Sequence, residues 1–221
     1  MKNKIIKNLI TVKNAFDAYK KGFNRKLTCE KLFENFTQSL DEELGVYQIK
    51  YDYLCGKETC NVDGQSKGCF LSDGDTILLD VSVEHNGVWC DVTRTFFVGT
   101  ISDEHKKAFD MVVKSIEKGK NSLKAGVKAC EIYNAVNGVF QQNGKFLIHH
   151  AGHRIGEDCL MQPQFLSKNE TELRQFDFVA IESGLYEDFG IRFENNYYIL
   201  KNEAEDLFSN LMPLKIEEYI L

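Results

Sequence analysis

The sequence predicts an α+β fold: two pseudo-symmetric halves, each a pair of helices followed by a β-hairpin, arranged around a central antiparallel sheet. Three observations lead there. The order helix, helix, hairpin occurs twice, and the first elements of the two halves stand about 100 residues apart. Of the 221 residues, 43% are apolar, enough to build one sizeable core shared by both halves. No linker separates the halves, and the only two prolines are Pro163 and Pro213, so residues 1–221 read as a single domain.

Residues 3–22 place Ile5, Ile6, Leu9, Ile10, Phe16 and Tyr19 at helical spacing. Residues 28–44 repeat the pattern with Leu32, Phe33, Phe36 and Leu40 before Gly45. The Gly- and Cys-rich stretch that follows reads as irregular. Residues 76–98 are rich in β-branched and aromatic types on both sides of Glu84-His85-Asn86-Gly87. They predict a hairpin closed by a four-residue loop or by a two-residue Asn86-Gly87 turn. Ser102 before Asp103 and Glu104 suits the start of a helix, whose buried stripe is Phe109, Val112, Val113 and Ile116. A further helix at about 126–143 stops before Gly144. Residues 176–186 and 190–200 form a second hairpin around Glu187-Asp188-Phe189-Gly190.

Composition excludes several functions. The chain holds 27 Lys+Arg against 33 Asp+Glu, a net charge of -6, with no basic stripe to bind a nucleic acid backbone. Its apolar runs, such as Ile77-Leu78-Leu79, are far short of the ~20 residues of a membrane span. Lys7 interrupts the apolar run after the basic start, and no small-residue cleavage site follows, so a cytoplasmic protein is expected. The seven cysteines are odd in number and are expected as free thiols. Cys55, Cys60 and Cys69 lie close in sequence, but gaps of five and nine residues without a CxxC pair argue against a structural zinc site.

The chemistry is signalled by acids inside apolar strands, where an ionised carboxylate is costly unless paired or bound to metal. Asp80 ends the run Ile77-Leu78-Leu79, and Asp91 lies on the return strand. Either turn preserves parity, so both point to one sheet face as a cross-strand pair. Glu182 interrupts Phe178-Val179-Ala180-Ile181, and Glu194 follows Ile191-Arg192-Phe193. A loop centred near Asp188 sets these two directly opposite. Glu182 stands 102 residues after Asp80 and Glu194 103 after Asp91, so the two pairs occupy equivalent places in the repeat. Four acids in one cleft need raised pKa values or divalent cations between them. The segment His149-His150-Ala151-Gly152-His153 offers imidazoles on a glycine-flanked turn, and one neutral His completes a mixed oxygen and nitrogen set for two metals. Any one of these residues alone is more often a solvated acid or a structural His. Their pairing on one face in both halves is what points to a site.

The segments GDTILLDVSVEHNGVWCDVTRTFFVG (74–99), HHAGHRIG (149–156), FDFVAIESGLY (176–186) and GIRFENNYYIL (190–200) resemble the M24 metallopeptidase superfamily of "pita-bread" fold. That superfamily includes methionine aminopeptidase, Xaa-Pro aminopeptidase, prolidase and creatinase. The resemblance spans about residues 3–200. The Asp-x-Thr-Arg-Thr run from Asp91 to Thr95, the His149–His153 spacing, and Arg192 before Glu194 bring it closer to the Xaa-Pro peptidase branch, although that branch's usual N-terminal domain is not in this sequence.

The resemblance implies that Asp80, Asp91, His153, Glu182 and Glu194 bind two divalent ions, manganese, cobalt, iron or zinc, which activate a bridging water. It makes Glu182 the proton shuttle, His149 a substrate contact with a one-residue ambiguity toward His150, and Arg192 a residue that steadies a carboxylate ligand. Two positions depart from the family. Its His seven residues after the metal-binding His is Leu160 here, and its substrate-facing His seventeen residues before the first acid is Asp63. Both are expected at the substrate pocket. Glu182 is followed by Ser183 where the family usually has proline.

The implied function is a dinuclear metal-dependent hydrolase of aminopeptidase or Xaa-Pro dipeptidase type, acting on a short peptide or small amide. The departures keep two alternatives in view: a non-peptidase lyase or small-molecule hydrolase on the same metal scaffold, and a catalytically degenerate binding module. Trp89 and the Phe-rich strands suggest a homodimer surface.

Overall fold

A computed structural model describes all 221 residues. The first half comprises α1 (Lys2–Gly22), α2 (Cys29–Leu44), β1 (Gln48–Cys55), a short 3-10 turn (Gly56–Cys60), β2 (Thr76–His85) and β3 (Val88–Phe97). The second comprises α3 (Asp103–Ser122), α4 (Ala129–Gln141), β4 (Gly152–Ile155), β5 (Met161–Gln164), β6 (Phe178–Tyr186), β7 (Gly190–Ile199) and β8 (Ala204–Asp206). Helix, helix and hairpin do recur, and the central antiparallel layer consists of two sheets, β1-β2-β3 and β5-β4-β6-β7-β8.

Strand parity separates core from cleft in both halves. On β2, Ile77, Leu79, Val81 and Val83 join the apolar core, and on β3 Cys90, Val92 and Phe96 do the same. Phe96 packs against Phe16 and Tyr19 of α1, with ring centroids 6.0 and 5.5 Å away. On β7, Phe193 meets Phe109 of α3 edge-on at 5.3 Å, and on β6 Ser183 bonds Ser115 of the same helix. With odd residues of β6 and β7 on the helices, Glu182, Arg192 and Glu194 are left facing the other way, toward the first half. A register slip of one residue would bury all three against α3.

Where β3 and β7 meet, side chains replace a backbone ladder. Thr95 Oγ1 donates to the Arg192 carbonyl and accepts from the Arg192 N–H, both at 2.9 Å. Asn196 accepts from the Asp91 N–H at 3.1 Å and donates to the Asp91 carbonyl. Arg94, fully buried, reaches the Glu194 carbonyl at 2.7 Å while its guanidinium lies over Phe208. The Asp-x-Thr-Arg-Thr run is thus the seam between the halves.

Several expectations are refined. Asn86 and Gly87, with φ of 60° and 79°, close the first hairpin as a two-residue turn. The fourth helix starts at Ala129, because Gly126 takes φ 83° and the N–H groups of Ala129 and Cys130 bond to the carbonyls of Thr171 and Asn169. β1, inside the stretch read as irregular, pairs with β2 along its whole length. Ser102 caps α3 as expected, with His105 completing the capping box. Trp89 is buried, under the Lys50 ammonium.

Candidate metal centre and active site

His153 does not sit on a turn: it lies on β4, paired with Ala180 of β6. A close approach makes this possible. Gly152 has φ 133°, and a Cβ there would stand 2.1 Å from the Ala180 carbonyl oxygen, so only glycine lets β4 lie down on β6. The His153 Nδ1–H donates to the Arg154 carbonyl at 3.1 Å, which leaves Nε2 presenting a lone pair. That nitrogen faces Glu194 Oε1 at 3.5 Å and Asp91 Oδ2 at 3.6 Å.

The other oxygens of these acids are held. Thr93 Oγ1 donates to Glu194 Oε2 at 3.0 Å, and Ser82 Oγ donates to Asp91 Oδ1 at 2.9 Å. Glu194 Oε1 is buried with no hydrogen-bond partner. Three acceptor atoms of His153, Asp91 and Glu194 thus lie within 4.8 Å of one another, and only a shared cation or added protons satisfy them together. This donor set of two carboxylates and an imidazole fits a divalent first-row ion.

The remaining expected donors adjoin this trio in a different state. Glu182 is directly opposite Glu194 in the β6–β7 ladder, as its spacing predicts. Asp80 and Asp91 share a face, but diagonally: Asp80 opposes Thr93, and Asp91 opposes Ser82. Arg192 Nη2 donates to Asp80 Oδ2 at 2.7 Å, and its Nη1 lies 3.6 Å from Glu182 Oε1. Arg192 is itself anchored by Nη1 to the Val62 carbonyl at 2.6 Å.

The charges follow this geometry. Burial, then Glu194 and Asp80, push the Asp91 carboxyl well above its ordinary range, and burial, then Asp80 and Glu182, do the same to Glu194. Asp80 rises to about 6 through burial, with Arg192 opposing and Glu182 assisting. Glu182 is the exception. Burial raises it, but His149, Arg192 and His150 outweigh that and hold it at about 2.

His149 and His150 flank Glu182, their Nδ1 atoms 3.4 and 3.3 Å from its two oxygens. Burial lowers both pKa values, His150 to about 4, so both rings are neutral at pH 7. The His149 Nδ1–H donates to the His150 carbonyl at 2.6 Å, and its Nε2 accepts from the Tyr186 hydroxyl at 3.2 Å. His150 Nδ1 is buried and unpartnered.

Asp63 and Leu160 are both exposed, Leu160 by 49%. Asp63 lies on the rim, between Val62, which holds Arg192, and Gly64, whose N–H donates to Asp52 at 2.8 Å. Sequence reasoning missed Asp52, Ser82 and Tyr186 as members of this neighbourhood, and left the choice between His149 and His150 open. Tyr186 closes the quoted segment 176–186, but nothing in its spacing shows that it would meet His149. Asp52 was hidden because β1 was unread.

The family model described as metallopeptidase family M24 matches residues 5–201. An uncharacterized peptidase of Methanocaldococcus jannaschii is 31% identical over 151 residues, covering 66% of this chain and 42% of the relative. The Xaa-Pro dipeptidase of Pyrococcus horikoshii is 28% identical over 141 residues, covering 62% of this chain and 40% of its own length. The chain therefore spans less than half of these relatives. Among solved structures, the X-Pro aminopeptidase of Thermotoga maritima superposes with TM-score 0.92 at 21% identity, over 99% of this chain and 62% of that one. The prolidase of Thermococcus sibiricus gives 0.86 at 22% identity, over 92% and 57%. These structural likenesses establish the pita-bread fold.

Proposed function

The chain belongs to metallopeptidase family M24, and from that premise we propose that it is a dinuclear metal-dependent hydrolase of aminopeptidase or Xaa-Pro dipeptidase type, acting on short peptides. The observation that carries the reading is the convergence of His153 Nε2, Asp91 and an unsatisfied Glu194 oxygen at one buried point. Asp80, Asp91, His153, Glu182 and Glu194 would hold two divalent ions, with manganese, cobalt, iron and zinc all compatible with oxygen-rich donors and one imidazole. Ions bound there supply Lewis acidity, lowering the pKa of a water and polarising a peptide carbonyl.

The chain's own residues do the rest. Glu182, ionised at neutral pH, takes the proton of the attacking water and returns it to the leaving amine. His149, four residues before His153, neutral and oriented by Tyr186, contacts the substrate carbonyl. Arg192 positions Asp80 and Glu182 through its two nitrogens. Residues 1–221 act as one catalytic unit, a reading supported by a single apolar core of 53 buried residues drawn from both halves. Asp63 and Leu160, at the positions of two family histidines, tune which peptide is accepted. The relatives named as peptidases and dipeptidases favour peptide chemistry over the lyase and binding-module alternatives.

A panel of dipeptides, with and without proline in second place, offered to metal-loaded protein tests this. Release of a free amino acid, lost in Glu182→Gln with metal content kept above half, is the expected result. No release from any dipeptide by fully loaded protein overturns it.

A further inference from the structure

We propose that Cys29, Cys55 and Cys69 form a second metal site, apart from the carboxylate cluster, that takes one thiophilic divalent ion of the zinc class. The three sulfurs come from separate elements: Cys29 is the first residue of α2, Cys55 the last of β1, and Cys69 belongs to the loop before β2. They nevertheless lie within 4.8 Å of one another. Buried cysteines commonly serve as small apolar side chains, each against its own neighbours. Three facing a common point is a different arrangement. Cys60, the cysteine nearest to Cys55 in sequence, is not part of the group.

Main-chain bonds fix the three positions without any ion. The Cys29 N–H donates to the Cys69 carbonyl at 3.0 Å. The Tyr53 N–H donates to Gly64 at 2.9 Å, Ser66 returns a bond to Tyr53 at 2.7 Å, and the Cys55 N–H donates to Ser66 Oγ at 2.9 Å. Around a tetrahedral zinc with Zn–S near 2.3 Å, neighbouring sulfurs stand about 3.8 Å apart, so the cluster has to close by about 1 Å at most.

An oxygen lies beside one of the three sulfurs, outside the group itself. Glu30 Oε2 lies 3.5 Å from Cys29 Sγ, about the spacing of adjacent oxygen and sulfur ligands on zinc. Cys29 and Cys55 are closed off from solvent, while Cys69 is partly open and gives the ion its way in. Binding releases the thiol protons to solvent and forms three metal–sulfur bonds, with no change of oxidation state. Sulfur donors here and oxygen donors at the carboxylates sort soft from hard ions. The clamp has a structural consequence as well: the loop it secures carries Val62, whose carbonyl anchors Arg192.

The test is a titration of chelator-stripped, reduced full-length protein with cadmium as probe, followed by its thiolate-to-metal ultraviolet absorption. One equivalent should saturate the band, zinc should displace it, and Cys69→Ser should weaken binding at least ~100-fold while Cys60→Ser and Cys130→Ser leave it intact. If Cys69→Ser does not fold, alkylation of folded wild type decides: zinc should shield Cys69, the partly open member of the trio, while Cys60 and Cys130 keep reacting. No band and no shielding overturn the proposal. So does a count of five free thiols in air-exposed protein that returns to seven with reductant, since the cluster would then be a disulfide pair.

Discussion

Glu194 holds one oxygen that receives a hydrogen bond from Thr93 and one that receives none, and the second faces an imidazole lone pair. Its carboxyl and that of Asp91 are raised in the folded state, so the folded chain binds their protons more tightly than the unfolded one. Their contribution to stability is full below the unfolded pKa near 4 and is lost as pH climbs through the folded values. A divalent ion competes with those same protons. The rise in Tm on adding manganese to chelator-treated protein should therefore grow from pH 5 to pH 8; a constant or shrinking rise contradicts the assignment. His149 and His150, shifted down, oppose this below about pH 6.5, but they titrate with or without the ion and largely leave the difference. Asp91→Asn separates stability from function in the same way. It removes one of the crowded negative charges while keeping an acceptor for Ser82, so metal-free protein at pH 8 should gain about 1 kcal/mol in chemical denaturation while its manganese-dependent gain disappears.

At the scale of elements, β4 owes its place to Gly152. Gly152→Ala would drive a methyl into the Ala180 carbonyl, and it should cost more than about 3 kcal/mol or lift β4, and His153 with it, off β6. Thermal melts with manganese titration read both outcomes, and an unchanged Tm with unchanged affinity would refute the packing argument. Thr95→Val removes a donor and an acceptor from the seam between β3 and β7, with an expected cost of about 1–3 kcal/mol in urea melts. The long hairpins were legible because period-two alternation shows both the core face and the acids that break it. β1 was not, since charged and apolar residues mix in Gln48–Cys55 and its order comes from pairing with β2. β4, four residues long, has too little pattern to announce itself. Opposition of Glu182 and Glu194 followed from turn length, whereas the diagonal offset of Asp80 and Asp91 depended on which turn was used.

For the whole molecule, the internal repeat made the architecture readable: equivalent acids at nearly equal offsets imply equivalent hairpins facing one another. What no local pattern contains is contact between distant elements. Arg192 meeting Val62, Tyr186 meeting His149, and Cys29 meeting Cys69 arise only when both halves close on the same core. A cavity of about 550 Å³ between α3, α4 and the Glu187–Phe189 turn holds none of the five expected metal donors. The acid-lined cleft is marked by its charges. Anomalous diffraction from crystals soaked in manganese tests the central claim directly. Two peaks within ligand distance of the set Asp80, Asp91, His153, Glu182 and Glu194 are the result the account predicts. Density confined to the molecular surface, with Arg192 still holding Asp80 and Glu182, would contradict it.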